Sequence, residues 1–508
     1  MFLSKADASI KQYANFKEQT NFSVINSNDS LFRLATKFSD LPKTVKIEEK
    51  TKVKILGYKC KYAEYSYFSN KVELWYTEDA KAKGSLFSRF LPSENALILK
   101  IKVNGSLRLT ATAIEKIDTL QFDYLADNAT EVSDAKFEEL KINSRFTVLN
   151  IFDDETINWD TSITTPRFDE IENDVVYHFS NGTVLLKKIK LNEDLKSNNR
   201  VFAKLNCRSN GDAYDRTGSV FIVPANKQLS VINAFIDSVQ LLPSYTDNNG
   251  GHYNGIRLED NYEPAIEAMR FFTSFGVNYF NEKRPINNYP WANDVVYKQE
   301  ISSLIPNTED EIWVGVFIGN YDKGGHKISL EFDIYPAFDV IPIDQKTYVQ
   351  PLFSTVNILE GTGQNYGRLF NNDTLEIDFT VPDNIDDLKL LFTTTGHGGW
   401  GEGDEFVPKL NTILLDGKPI FSIMPWRTDC ATYRFSNPAS GNFGNGMSSS
   451  DLSRSNWCPA TLTPPYVIPL SQLKEGIHKL KVIIDQGQDT ESGYSHWQVS
   501  GVLTGNTK

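Results

Sequence analysis

An Asn-Gly dipeptide between two alternating runs limits the folds open to this chain more than any other feature. Ala96-Leu97-Ile98-Leu99-Lys100-Ile101-Lys102-Val103 passes through Asn104-Gly105 into Ser106-Leu107-Arg108-Leu109-Thr110. Alternation places successive side chains on opposite faces of a strand, and Asn-Gly supplies the two positive-φ positions of a tight hairpin. Further strand-like runs recur at 219–223, 312–318, 328–334, 388–392, 412–415, 478–484 and 497–503, with Asp416-Gly417 as another turn. The best helical stretches, 10–16 and 264–272, are few and short. The chain therefore reads as all-β.

At 508 residues it is too long for one core. A polar stretch at 153–166 and a linker at 336–351 divide it into an N-terminal block 1–165 and two β-rich blocks, 166–340 and 341–508. Short strands split by long loops suit antiparallel jelly rolls for the last two. The N-terminal block reads as a mainly β accessory domain. A net charge of −13 argues against nucleic acid and anionic membrane surfaces as partners. No apolar run approaches the roughly 18 residues of a membrane span. The opening Met1-Phe2-Leu3-Ser4-Lys5 lacks the apolar stretch of a secretory leader, so the chain reads as either cytoplasmic or already processed.

Four cysteines occur, Cys60, Cys207, Cys430 and Cys458, with no Cys-x-x-Cys pair. That is too sparse for a disulfide scaffold or a zinc site. Cys430 and Cys458 flank a loop rich in Asn, Gly and Ser, and read equally well as a staple or as two buried thiols.

Three loops concentrate polar groups. Cys207-Arg208-Ser209-Asn210-Gly211-Asp212-Ala213-Tyr214-Asp215-Arg216 runs into the strand at 219–223. Asp215 beside Arg216 could be a general base held ionised by positive charge, or simply a turn carboxylate. Thr395-Gly396-His397-Gly398-Gly399-Trp400-Gly401-Glu402-Gly403-Asp404-Glu405 has five glycines that let a ligand approach the backbone, with a tryptophan and carboxylates beside them. It also reads as a mobile acidic loop or a weak calcium site. Arg454-Ser455-Asn456-Trp457-Cys458-Pro459 offers a cation and an aromatic, the latter as readily core as ligand platform.

In their order and spacing these loops, with Asn411-Thr412-Ile413, Leu330-Glu331-Phe332-Asp333-Ile334 and Arg270-Phe271-Phe272-Thr273, resemble the peptide-N-glycosidase F family over residues 165–505. The resemblance implies two adjacent jelly rolls with the site in the cleft between them, and the N-terminal third as an added domain. It implies hydrolysis of the amide joining an N-glycan to asparagine, which becomes aspartate, with no metal or cofactor and N-glycosylated proteins or glycopeptides as partners. By position, Asp215 and Glu405 are then the catalytic carboxylates, Asp215 activating water. Tyr214, Arg216, Asp322, His397, Trp400, Arg454 and Trp457 contact the substrate. Cys430 and Cys458 form a disulfide, and the protein is a secreted or periplasmic monomer whose leader is missing from this sequence.

The chain departs from the family's pattern where a third carboxylate is expected in a Glu-x-Trp segment. Ile318-Gly319-Asn320-Tyr321-Asp322 stands there, with Asp322 as the substitute. Glu311-Ile312-Trp313 comes too early to align, and Cys207 lacks its family partner. A non-catalytic glycan-binding protein on the same scaffold is the alternative. A copper monooxygenase with paired jelly rolls is disfavoured, because the six histidines never occur as His-x-His or as a close pair.

Overall fold

The computed structural model describes residues 10–27, 30–84, 89–115, 125–224, 227–336, 346–398, 403–489 and 494–507. The chain divides into two compact units between Thr147 and Val148. In the first unit, Ile10–Asn15, Thr20–Ser27, Ser30–Lys37 and Thr130–Glu131 form one sheet. A second sheet orders Leu107–Thr110, Leu97–Val103, Asn70–Thr77, Lys61–Tyr67 and Lys46–Glu48. The expected hairpin is present, with Val103 opposite Leu107 and both Asn104 and Gly105 at positive φ. One helix, Asp134–Asn143, starts at Ser133, whose side chain accepts the Lys136 N–H.

The second unit holds two adjacent jelly-roll sandwiches, so the protein is all-β with a mainly β N-terminal unit. In the first sandwich a sheet of Thr147–Ile157, His326–Tyr335, Arg200–Ser209 and Val295–Glu300 faces a six-stranded sheet. The latter runs Val176–Phe179, Val184–Lys190, Glu311–Ile318, Thr217–Val223, Ile266–Phe272 and Leu462–Thr463. Leu205, Phe332, Val220, Val314 and Ile266 belong to the apolar core between the sheets. In the second sandwich, Thr347–Ser354, His496–Thr507, Ile385–His397 and Tyr466–Pro469 form one sheet. Leu375–Val381, Gly476–Ile484, Asn411–Leu415 and Lys418–Ile423 form the other, over a core that includes Leu390, Phe392, Leu480 and Leu503.

A segment from the C-terminal half closes the seam between sandwiches. Leu462–Thr463 pairs with Phe271 and Arg270 at the edge of the first sandwich's sheet.

Several sequence expectations are corrected. Residues 10–16 and 264–272 hold strands rather than helices. Ile10–Asn15 is an edge strand paired with Thr20–Ser27, and Ile266–Phe272 is buried at every position, so burial on both faces erases its alternation and leaves Glu, Ala and Met to suggest a helix. Thr147–Ile157 is hydrogen-bonded beside His326–Tyr335, which moves the first boundary from 165 to 147. The linker expected at 336–351 is partly strand, since Thr347–Ser354 enters the second sandwich and carries Pro351 at a register shift. Residues 337–345 lie outside the described residues.

Candidate active site

The loop after Arg200–Ser209 is shaped by its own side chains. The Asp212 carboxylate accepts the Tyr214 N–H at 3.0 Å and pairs with Arg216, whose Nε lies 2.8 Å from Oδ2. Gly211, at φ +137°, lies against Gly324, where an added Cβ would meet its Cα at 3.1 Å. Thr273 then ties the loop to the next strand. It accepts the Arg216 N–H at 2.8 Å and donates its hydroxyl to the Tyr214 carbonyl at 3.1 Å. This frame turns Asp215 away from Arg216 and inward.

Glu405 arrives from the second sandwich on a loop anchored by its neighbour. The fully buried Asp404 carboxylate accepts the Trp497 indole N–H at 2.7 Å and the Gly487 N–H at 2.9 Å. The Glu405 carbonyl accepts the Ser455 N–H at 2.9 Å. Asp404 and Glu405 lie in the turn that the Phe406 N–H closes on the Gly403 carbonyl at 2.9 Å, and with Asp404 fixed inward Glu405 reaches the cavity.

Arg454 joins the two carboxylates. Its Nη2 lies 3.2 Å from Asp215 Oδ2 and its Nε 2.8 Å from Glu405 Oε1. Nη1 donates to the Ser449 carbonyl at 2.6 Å and Nη2 to the Ser449 hydroxyl at 3.1 Å. The guanidinium lies 4.7 Å over the Trp457 ring and 5.0 Å over Phe406. Around the two carboxylates opens a cavity of about 530 Å³, lined by Asp215, Glu405, Arg454, Tyr214, Phe406 and Phe275 among others.

Burial, one cation and two carboxylates set the electrostatics. Burial pushes the Asp215 carboxyl up to about 7, with Arg454 opposing the rise and Glu405 adding to it. Burial also raises Glu405, again against Arg454. The cation bonded to Asp215 is therefore Arg454, the sequence neighbour Arg216 acting on it only as a weaker, unbonded charge, and the carboxyl is poised near neutrality rather than held firmly ionised.

The other expected site residues separate into two groups. Tyr214 is 60% exposed and lines the cavity. Arg216 lies 5.0 Å over Tyr214 and 5.6 Å over Tyr321. By contrast Trp457 is buried, donates its indole N–H to the Gly396 carbonyl at 2.9 Å, and stacks on Phe272 at 4.2 Å. With Arg454 on one face and Phe272 stacked on the ring, it supports the arginine and has no free face for a sugar. His397 is likewise buried, bonded through Nε2 to Thr395 Oγ1 at 2.8 Å and packed on His496. Desolvation lowers its pKa well below the usual imidazole range, with His496 adding to the fall. Asp322 is a turn carboxylate that accepts the Gly324 N–H at 2.6 Å. Trp400 lies outside the described residues.

Cys430 and Cys458 form a disulfide with Cα atoms 5.1 Å apart, beside Trp457. Cys60 and Cys207 are free and buried. Among the described residues, the one grouping with metal-ligand spacing is Asp429 with Cys430 and Cys458, whose sulfurs the disulfide consumes. Nor, among the described residues, is any helix long and apolar enough to cross a membrane. Sequence reading missed Asp212 and Asp404, the buried anchors of the two loops, and Ser449. Nothing in the loop sequences marks Asp212 or Asp404 as the anchor rather than the neighbouring carboxylates Asp215 and Glu405.

Three family models match the chain. Those described as Peptide-N-glycosidase F, N terminal and C terminal, cover residues 148–334 and 365–504. One described as N-glycanase peptide, N-terminal domain, covers 1–137. Two solved structures of PNGF-II, in C2 and P21 space groups, are 42% and 41% identical to this chain. They cover 98% and 99% of it and 90% and 92% of their own chains, with TM-scores of 0.78 and 0.81. PNGase F from Flavobacterium meningosepticum is 14% identical, over 71% of this chain and 96% of its own, at a TM-score of 0.47. No curated protein matches.

Proposed function

The chain belongs to the peptide-N-glycosidase F family, and from that premise we propose that it is an amidohydrolase acting on N-glycosylated asparagine. It cleaves the amide between the innermost N-acetylglucosamine and the asparagine side chain, converting that residue to aspartate. The observation that carries this reading is Asp215 and Glu405, from two different sandwiches, bonded to the single guanidinium of Arg454 at the edge of one cavity.

An amide is a poor electrophile, so its hydrolysis needs a positioned, deprotonated water and stabilisation of the developing oxyanion. Asp215 in its ionised form takes a proton from water as the water oxygen adds to the side-chain carbonyl carbon. Asp215 then passes that proton to the amide nitrogen as the carbon–nitrogen bond breaks, so the sugar leaves as its glycosylamine and Asp215 returns to its ionised form. A carboxylate poised near 7 suits this work, because a general base is most effective when its pKa lies near the working pH. Arg454 stays charged throughout and offsets the negative charge that builds up. Glu405, held by Nε of the same guanidinium, orders the water and the first sugar. Tyr214 presents an exposed ring at the cavity mouth.

The test is to incubate the protein with a denatured N-glycoprotein in isotopically labelled water and weigh the peptides. Aspartate bearing one labelled oxygen at each former glycosylation site is expected. Glycan bound without release would favour a binding protein on the same scaffold and overturn the amidase reading.

A further inference from the structure

Between strands Ile266–Phe272 and Val295–Glu300 runs a segment, 273–294, with no strand or helix of its own beyond a single bridge at Asn278. Irregular loops of this length inside a compact domain are uncommon and usually carry function. Its near end belongs to the site already described, because Phe275 lines the catalytic cavity. Its far end does something else. There Tyr289, 61% exposed, stacks on Phe435 of the second sandwich with ring centres 5.4 Å apart and planes at 22°. Trp291 lies 6.3 Å from Phe435, and the Arg434 guanidinium lies 5.2 Å over the Trp291 ring.

These rings are built in rather than left over. The Ala292 N–H donates to the Phe435 carbonyl at 2.9 Å, and the Trp291 indole N–H donates to the Arg284 carbonyl. Pro285 and Pro290 restrict the backbone on either side of the exposed tip. The same two segments continue into the cavity wall. Phe275 N–H donates to Asn437 Oδ1 at 2.9 Å, and Ala439 N–H, from another cavity-lining residue, donates to the Phe275 carbonyl at 2.9 Å. Platform and cavity are therefore one continuous frame shared by two sandwiches.

We propose that the Tyr289–Phe435–Trp291 platform is a second carbohydrate subsite, which holds sugars of the glycan beyond the pair at the scissile amide. The identity of that sugar chain rests on the amidase reading; the saccharide chemistry does not. Flat aromatic faces match the C–H faces of sugar rings, and the exposed amides of Asn287 and Asn288 beside Tyr289 suit hydroxyl groups. A cavity near 530 Å³ has the size that encloses a drug-sized ligand, only a fraction of a branched glycan. The remainder must lie along a surface, and this one begins at the cavity wall.

Two assays on the full-length chain test it. In the first, a free high-mannose oligosaccharide with no peptide is titrated by calorimetry against the parent protein, Tyr289→Ala, Phe435→Ala and Tyr289→Phe. Each alanine variant should weaken binding by about tenfold, while Tyr289→Phe, which keeps the ring, should bind within about twofold. In the second, glycopeptides with the same sequence carry either the full oligosaccharide or only its two core sugars. The alanine variants should raise KM for the former and leave the latter within about twofold. Equal binding by parent and variants, or an equal loss on both glycopeptides, would overturn the proposal. A loss that follows peptide length instead of glycan size would make the platform a peptide surface, which also overturns it. Oligosaccharide binding that depends on Tyr289 and Phe435 in a protein that releases no glycan would sink the amidase reading and leave the subsite standing.

Discussion

Two arginines lie at the seam between the sandwiches, each about 1% exposed, and they do opposite things. Arg270 grips one carboxylate: its Nε and Nη2 donate to Glu267 at 2.9 and 2.7 Å. Its Nη1 crosses to the second sandwich, donating to the Gln498 carbonyl at 2.5 Å and Thr395 Oγ1 at 3.0 Å. Glu267 also accepts the hydroxyls of Ser219 and Ser500. One positive charge meets one negative charge, every arm ends on a fixed partner, and the result is a clamp. Arg454 is equally buried but serves two carboxylates, one from each sandwich, beside a cavity. Two carboxylates share that one guanidinium, so burial raises both, and with the Glu405 charge adding to it lifts Asp215 to about 7. Charge balance thus separates a structural joint from a chemical one built of the same residue types.

Breaking the second joint has the largest expected effect. Arg454→Ala leaves two buried carboxylates without their cation, and glycan release should fall by about 10³-fold or more. It should also cost about 3–5 kcal/mol in urea unfolding at pH 8, with a smaller cost at pH 5, where the Asp215 carboxyl is protonated. An equal stability loss at both pH values would show that the two carboxylates do not depend on it.

Asp215→Asn keeps the shape but removes the base, so activity should fall by at least about 10²-fold with the fold intact. Its stability sharpens the comparison. The folded value of this carboxyl lies above its ordinary range, so the stability it contributes is present at low pH and is lost as pH rises through about 7. The asparagine variant should therefore melt above the parent at about pH 8 and level with it near pH 4. A variant that melts lower at pH 8 would mean that Asp215 is a well-compensated ion.

Arg270→Ala probes the balanced joint. It should cost about 3–5 kcal/mol of stability by stranding Glu267, while the surviving folded enzyme keeps the pH midpoint of the parent's kcat/KM. A shifted midpoint would make Arg270 part of the catalytic electrostatics.

How much of this could be read beforehand follows from where each side chain's environment is encoded. The hairpin at Asn104-Gly105 was legible because turn chemistry and alternation are local. The three loops around Asp215, Glu405 and Arg454 were legible through resemblance, whose order and spacing survive across the two sandwiches. The partner of Arg216 was not. Proximity in sequence suggested Asp215, but the loop folds back so that Asp212, four residues earlier, takes the guanidinium instead. Trp457 looked like a ligand platform because sequence does not tell that Phe272 and Arg454 pack against its ring. Ile266–Phe272 looked helical because a strand buried on both faces loses its period.

The most direct test of the account is the pH dependence of kcat/KM for a short N-glycopeptide, measured on the parent and on Glu405→Gln. Because the carboxyls titrate as a pair, the parent profile should rise with pH through an apparent pKa near 7. Removing the Glu405 charge should move that midpoint lower, since Glu405 helps to raise it. A parent profile already flat above about pH 5, or a midpoint that stays in place in Glu405→Gln, would contradict the claim that one shared arginine leaves Asp215 poised as the base.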